Sequence, residues 1–330
     1  MRPSRSKAIR WAVVATALLL ARRSAFAQSG PPVEGAPELI LPIGARAIGM
    51  GEAAVASAIG ADALWWNPAL IARGPREVAL AASSNNPALD TDIGASVIVP
   101  VPRVGAFAVL LRYQNQGEQE AASSEGGPTQ TGTFLVTSTL AALTFAAPFG
   151  NRIAIGTTYK FLNADHASCT GQCGQTGAQP QTTALDFGGQ YIVRKDTSIV
   201  LGAVLRNAGL RLQVNDAPQA DPVPTRFEAG VLVTPRISQL PPEARLHVAA
   251  DVITRVNTSG GPGYRLGAEA SWRERFYLRG GYLVYGPDGA SGPSFGVGFS
   301  TGKLQIDFAQ TSNNAGSGSP PSYLTLRYLF

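Results

Sequence analysis

From residue 77 onward the chain runs in segments of about ten residues in which apolar positions alternate with polar or small ones, with turn residues between the segments. In "RFEAGVLV" (226–233), Phe227, Ala229, Val231 and Val233 share one face, and Arg226 and Glu228 share the other. "ARLHVAADVI" sets Leu246, Val248, Ala250 and Val252 opposite Arg245, His247 and Asp251. "YRLGAEASW" sets Tyr264, Leu266, Ala268, Ala270 and Trp272 opposite Arg265, Gly267, Glu269 and Ser271. A period of two over this length means strands with one apolar and one polar face. Fourteen such strands are expected, at 77–83, 91–99, 104–114, 132–146, 150–163, 182–193, 197–207, 224–234, 244–254, 262–272, 274–285, 293–301, 302–311 and 321–330.

The connections alternate in length. Short links ("PVPR", "PFGN", "RKDT", "RE", "TG") follow strands two, four, six, ten and twelve, and long links follow the odd strands. The link at 235–243 is longer than its class. Short turns at one end and long loops at the other, with an even strand number, is the plan of a bacterial outer-membrane barrel. A soluble sandwich or propeller would also alternate, but its polar face would be charged and solvated. Here that face is mostly Gly, Ser, Thr and Ala with scattered Arg, Glu and Asp, as befits a lumen. The expected fold class is therefore all-β: a 14-stranded antiparallel transmembrane β-barrel, with its long loops outside and both termini periplasmic. Fourteen residues are expected on inward faces: Arg112, Lys160, Asp186, Arg206, Arg226, Glu228, Arg245, Asp251, Arg265, Glu269, Arg275, Arg279, Asp307 and Arg327. Arg226 and Glu228 near Arg245, and Glu269 near Arg279, are read as cross-strand braces that neutralise one another. The chain ends "YLTLRYLF"; a last strand closed by an aromatic residue, Phe330, resembles the signal by which the barrel assembly machinery recognises its clients. That machinery and outer-membrane lipid are expected partners.

The first residues change how the charge is read. A basic start, an apolar run from Trp11 to Ala21 and the site Ala25-Phe26-Ala27 predict a secretory signal peptide over residues 1–27. Arg22-Arg23 is an unusual insertion before the cleavage site. Of 27 Lys and Arg against 22 Asp and Glu, six basic residues and no acid fall in this leader, so the remaining chain has a net charge of about −1. No basic patch supports nucleic-acid binding. Cys169 and Cys173 in "CTGQC" are read as a local disulfide in an outward loop. Only His166 stands near them, too few ligands for a metal site. No nucleophile elbow, phosphate loop or Ser/His constellation appears, so no catalytic residue, metal or cofactor is expected.

Between leader and barrel lies "GARAIGMGEAAVASAIGADALWWNPALIA" (44–72), rich in Gly and Ala and nearly free of charge. It is too broken for a membrane helix and too apolar for a linker. Irregular backbone at membrane depth is tolerated only when shielded from lipid, which places residues 28–76 inside the lumen as a hatch ahead of a barrel at 77–330. Asp62 is read as a helix cap, with the helix stopping near Asn67-Pro68, and Trp65 and Trp66 as wall anchors. Gly44, Ala45, Arg46, Gly49, Gly51, Ala63, Trp66, Asn67, Pro68 and Ala69 resemble the N-terminal signature of the PorV/PorQ family within the long-chain fatty acid transporter (FadL)-like superfamily. Glu52 departs from that signature, which often has a small residue there. The resemblance implies a fourteen-stranded barrel with a luminal hatch, and two functions. One is a plugged conduit for hydrophobic small molecules, with ligand-proximal residues among Gly44, Arg46, Gly49, Gly51, Trp65, Trp66, Asn67 and Pro68. The other is a barrel of type IX secretion that binds secreted-protein partners.

Overall fold

The computed structural model describes residues 34–84, 91–123, 129–171, 180–194, 199–212, 221–258, 260–284, 291–312 and 320–330. The expected leader and Cys173 lie outside these residues. Fourteen strands follow one another: β1 (Glu77–Ser84), β2 (Thr91–Val101), β3 (Gly105–Ser123), β4 (Thr129–Phe149), β5 (Ile153–Gly171), β6 (Gln181–Arg194), β7 (Ile199–Gly209), β8 (Arg226–Val233), β9 (Ala244–Arg255), β10 (Gly263–Trp272), β11 (Phe276–Val284), β12 (Ser291–Ser300), β13 (Leu304–Thr311) and β14 (Ser322–Leu329). Each pairs antiparallel with its neighbours in sequence, and β1 closes the ring on β14 with Glu77 opposite Leu329.

The side-chain alternation is inverted relative to a water-soluble sheet. Residues facing outward are large, apolar and exposed: Leu111, Leu143, Leu266, Leu278 and Phe295 range from 57% to 67% exposed. Residues facing inward are polar and buried, including Arg265, Glu269, Arg279 and Asp307. Apolar surface left outside and charge taken inside is stable only where the outer medium is hydrocarbon, since in water the hydrophobic effect would reverse the preference.

Three strands depart from the expected boundaries. The stretches 115–131 and 163–182 were expected as loops, yet β3 and β4 remain paired out to Ser123 opposite Thr129, and β5 continues to Gly171. These extensions are rich in Gln, Ser, Thr and Gly, without apolar alternation, because a strand that has left the hydrocarbon layer needs no apolar face. Cys169 therefore lies in β5, opposite Phe134, rather than in a loop.

The inward faces are not uniform either. On β2 to β5 they carry Ile98, Ala106, Ala108, Leu110, Leu140, Ala142, Ala154 and Leu162, all buried. The runs "SVIVPV", "AFAVLL" and "TLAALTFA" have apolar residues on both faces, which hides period two exactly where both faces are dry.

Candidate functional site in the barrel interior

Residues 35–73 pack against the inward faces. Two short helices, α1 (Ala45–Gly49) and α2 (Ala61–Trp66), and 3-10 turns at Pro37–Leu39 and Pro68–Arg73 are joined by irregular backbone. Close approach to the wall is made possible by glycine on the strands. A Cβ on Gly202, Gly267 or Gly281 would stand 2.3, 2.2 or 2.1 Å from backbone atoms of Val55, Met50 or Gly51. Gly49 lies against Gly296 in the same way. Gly51 itself has φ +63°, a region that L side chains rarely adopt, and its N–H donates to Ser294 Oγ at 2.9 Å.

The wall supplies the acceptors that these irregular turns lack. Thr325 Oγ1 accepts from Ala45 N–H (2.9 Å), Asp251 Oδ2 from Val55 N–H (2.9 Å) and Glu77 Oε1 from Ala61 N–H (2.7 Å). Within the segment, Asp62 accepts from Ala47 N–H at 3.2 Å instead of capping its own helix, whose N-cap is Gly60. Gly44 has φ +96°, and a Cβ there would fall 2.3 Å from an Asp62 carboxyl oxygen. Burial pushes the Asp62 carboxyl up to about 6, with the Arg327 guanidinium opposing the rise. Asn67 is the N-cap of the turn at Pro68–Arg73: its Oδ1 accepts from Ala69 N–H, and its Nδ2 donates to Val55 O (2.8 Å) and Gly189 O (3.1 Å). Pro68 sits against Gly156 and Gly188.

Two charge chains run along the interior. Arg46 forks onto Glu269, with Nε and Nη2 each 2.9 Å from a carboxylate oxygen. Glu269 continues to Arg279 (2.6 Å), Arg279 to Asp307 (2.7 Å) and Asp307 to Arg327 (3.0 Å). On the other side Arg206 meets Glu228 (3.0 Å), Glu228 meets Arg265 (2.6 Å), and Arg265 meets Glu52 (3.4 Å). Arg112 forks onto Asp92, and Lys160 meets Asp186, each at 2.7 Å. Bidentate and bridging pairs of this kind suit charges that have left water.

Trp65 and Trp66 are 0% and 1% exposed. The Trp65 ring is met by Lys160 (4.7 Å), Arg112 (4.8 Å) and Arg206 (5.4 Å), and the Trp66 ring by Arg265 (5.0 Å) and Arg206 (5.2 Å). The Trp66 indole N–H donates to Ile43 O at 3.1 Å. Three ion pairs from neighbouring strand pairs thus converge on one indole; desolvated cation–π contacts contribute on the order of 2 kcal/mol each. A cleft between the segment and the wall of β14 and β1–β3, lined by Ile43, Asp62, Ala79, Gly94, Leu110 and Thr325, holds about 20 Å³, room for about one water.

The expected luminal charges do not all meet as read. Glu269 pairs with Arg279, but Glu228 joins Arg206 and Arg265 rather than Arg226 or Arg245. Arg226 instead forks onto Glu34, a residue 192 positions earlier. Arg245 has inward parity but stands at the rim, 57% exposed, 3.3 Å from Glu274, and Arg275 is exposed in the next turn. Strand parity gives the face and not the height. The interior acids Glu52, Glu77 and Asp92 were not anticipated; Asp92 was legible as the one charge within "TDIGASVIV".

No protein-family model matches the chain, and no curated protein matches it. Among solved structures it is similar to the Ralstonia pickettii toluene transporter TbuX (13% identity, TM-score 0.58, covering 88% of this chain and 98% of that one). It is also similar to the P. putida toluene transporter TodX (11% identity, TM-score 0.60, 88% and 99%). A Pseudomonas aeruginosa FadL homologue matches at 11% identity and TM-score 0.50, covering 92% of this chain and all of that one. At these identities the likeness is one of fold, and the chain shares the barrel fold of these proteins.

Proposed function

We propose that this barrel spans the bacterial outer membrane as a conduit for hydrophobic small molecules, and that residues 28–76 act as its hatch. The observation that carries the reading is the apolar inward stripe on β2 to β5, Ile98, Leu110, Leu140 and Leu162 among it, inside a barrel whose fold is that of toluene transporters. A pore for ions or sugars has no use for a dry stripe of this kind, whereas a hydrophobic solute would pass along it. The stripe is covered by Leu64, Trp65, Ala69 and Ile71, so passage requires the segment to shift. Short turns and the carboxy-terminus then face the periplasm, and Phe330, beside Tyr328 and Arg76 at that rim, is available to the assembly machinery. The first described residues, Glu34 on Arg226 and Gly35 on Pro222, lie instead at the long-loop end, against the expectation of both ends at the periplasmic side. The secretion alternative rests on the resemblance of residues 44–72. Those residues are engaged in docking: Gly49 and Gly51 against the wall, Arg46 on Glu269, Asn67 on Val55 and Gly189. Ile59 apart, they are buried or half-buried and leave little surface for a secreted protein, so the conduit is preferred.

The test is uptake of radiolabelled toluene by cells lacking other hydrophobic channels. Expression of the wild-type chain is expected to raise the rate. A cysteine pair at Ala45→Cys and Thr325→Cys, where the Ala45 N–H already donates to the Thr325 hydroxyl, is expected to block uptake when oxidised and restore it when reduced. Uptake equal to cells without the barrel overturns the conduit, and uptake indifferent to oxidation overturns the moving hatch.

A further inference from the structure

The exposed cations gather at one end of the barrel. The long connections 85–90, 124–128, 172–179, 213–220, 285–290 and 313–319 contain no Lys or Arg. At the short-turn rim, every described turn carries an exposed cation, and most of these adjoin an outward apolar residue. Arg103 precedes Val104 (48% exposed), Arg152 precedes Ile153 (46%), and Lys303 precedes Leu304 (36%). Arg273 lies 5.9 Å over the ring of Trp272, Arg275 precedes Phe276, and Arg76 lies 5.7 Å over the ring of Phe330. The exposed acids described at this rim are Glu243 and Glu274, and Glu274 is engaged with Arg245; Glu77 beside Arg76 is buried inward on Ala61 N–H. A cleft of about 460 Å³ under the β8–β9 connection opens on the same rim, lined by Arg236, Arg245, Ile237 and Leu240.

The position of these cations selects their partner. Outward aromatic residues mark the level where hydrocarbon gives way to headgroups. A guanidinium stacked on such a ring, or one residue beyond an outward apolar side chain, stands at headgroup depth. A protein partner would instead need cations directed away from the bilayer. Lipid phosphates are the anions found at that depth, and Arg binds phosphate by paired hydrogen bonds. Basic residues at an anionic surface each raise affinity roughly fivefold.

We infer that the short-turn rim, through Arg76, Arg103, Arg152, Arg273, Arg275 and Lys303, binds the phosphate headgroups of anionic phospholipid in the adjoining leaflet. The inference rests on the membrane-spanning reading above. The ring fixes the depth of the barrel and its orientation in a leaflet of negative charge, while the opposite rim, where Arg226 is buried on Glu34 and Arg211 and Arg255 are the only cations left at least partly exposed among the described residues, has no comparable hold.

The test uses the full barrel in phosphatidylcholine vesicles doped with spin-labelled phosphatidylglycerol or spin-labelled phosphatidylcholine, reading the motionally restricted lipid by electron spin resonance. Wild type is expected to prefer phosphatidylglycerol by about tenfold at low salt, with the preference screened at about 1 M salt. Replacing all six cations by Gln is expected to bring the preference below about twofold while the heat-modifiable gel mobility of a folded barrel is kept. Arg211→Gln with Arg255→Gln is expected to leave it unchanged. A preference that survives the six substitutions, or that disappears with the control pair, overturns the inference. Wild type that inserts without preference overturns it alone, and wild type that fails to insert overturns the membrane reading with it.

Discussion

Glu269 joins the segment to the wall and one strand of the wall to the next. It receives Arg46 from α1 through two hydrogen bonds and Arg279 from β11 through a third, all buried. Removing its charge leaves two guanidinium groups in a low dielectric with one carboxylate, Asp307, between them and Arg327. Breaking one partner of a buried pair costs about 3–5 kcal/mol, because the orphaned charge remains desolvated. Glu269→Gln is therefore expected to release the segment before it opens the barrel. Limited trypsin digestion should cut after Arg46 or Arg73 in the variant under conditions where wild type is resistant, with the gel mobility of the folded barrel retained. Equal resistance of the two proteins would mean that the other wall contacts, Thr325 on Ala45, Asp251 on Val55 and Arg265 on Glu52, hold the segment without Glu269. Trp65 separates two contributions at the same scale. Phe keeps apolar volume but has a weaker π face, so Trp65→Phe should destabilise docking by about 1 kcal/mol, and Trp65→Ala by about 3–5 kcal/mol, read by the same digestion.

At the scale of elements, α1 and α2 are too short to stand alone, and their docking has a pH dependence. The Asp62 carboxyl joins the two helices through Ala47 N–H, facing Arg46 of α1, Asp307 of β13 and Arg327 of β14. Docked, it titrates near 6; released, near 3.8. Between these values the docked state holds a proton that the released state gives up, so docking is strongest below pH 4 and weakens as pH rises through 6. Hydrogen exchange of the amides in 45–66, corrected for intrinsic rates, is expected to show protection falling from pH 4.5 to 7, and Asp62→Asn is expected to flatten that profile. A flat wild-type profile would place Asp62 outside the linkage. The strands themselves were legible because a lipid-facing row has to be apolar along its whole membrane-spanning length. The outer parts of β3 to β5 were not, since polar residues suffice once the strand leaves the hydrocarbon. The glycines at 202, 267 and 281 were visible but uninterpretable from sequence, because their meaning is the approach of a backbone from a distant part of the chain.

The whole molecule can be divided into a wall and its contents. Among the described residues the wall buries seven cations (Arg112, Lys160, Arg206, Arg226, Arg265, Arg279 and Arg327) and seven acids (Glu77, Asp92, Asp186, Glu228, Asp251, Glu269 and Asp307). Most of these are paired across adjacent strands, and Arg265–Glu228 and Arg279–Asp307 reach across one intervening strand. The segment adds Arg46 and the acids Glu34, Glu38, Glu52 and Asp62, of which Glu34 and Glu52 pair with wall arginines. The wall is thus close to neutral without the segment, and the hydrogen bonds that close the barrel run between strands. A chain lacking residues 34–72 should still fold as a barrel, because the strand ladder and the outer apolar face remain intact. Fourteen strands then enclose a water-filled lumen, and a neutral wall selects weakly by charge. In planar bilayers the shortened chain is expected to form steady open channels where wild type is closed, with a reversal potential near zero in a salt gradient. Strong cation or anion selectivity would show that the pairs across the strands reorganise when the segment leaves. Closed channels from a correctly folded barrel would show that something other than residues 34–72 blocks the lumen.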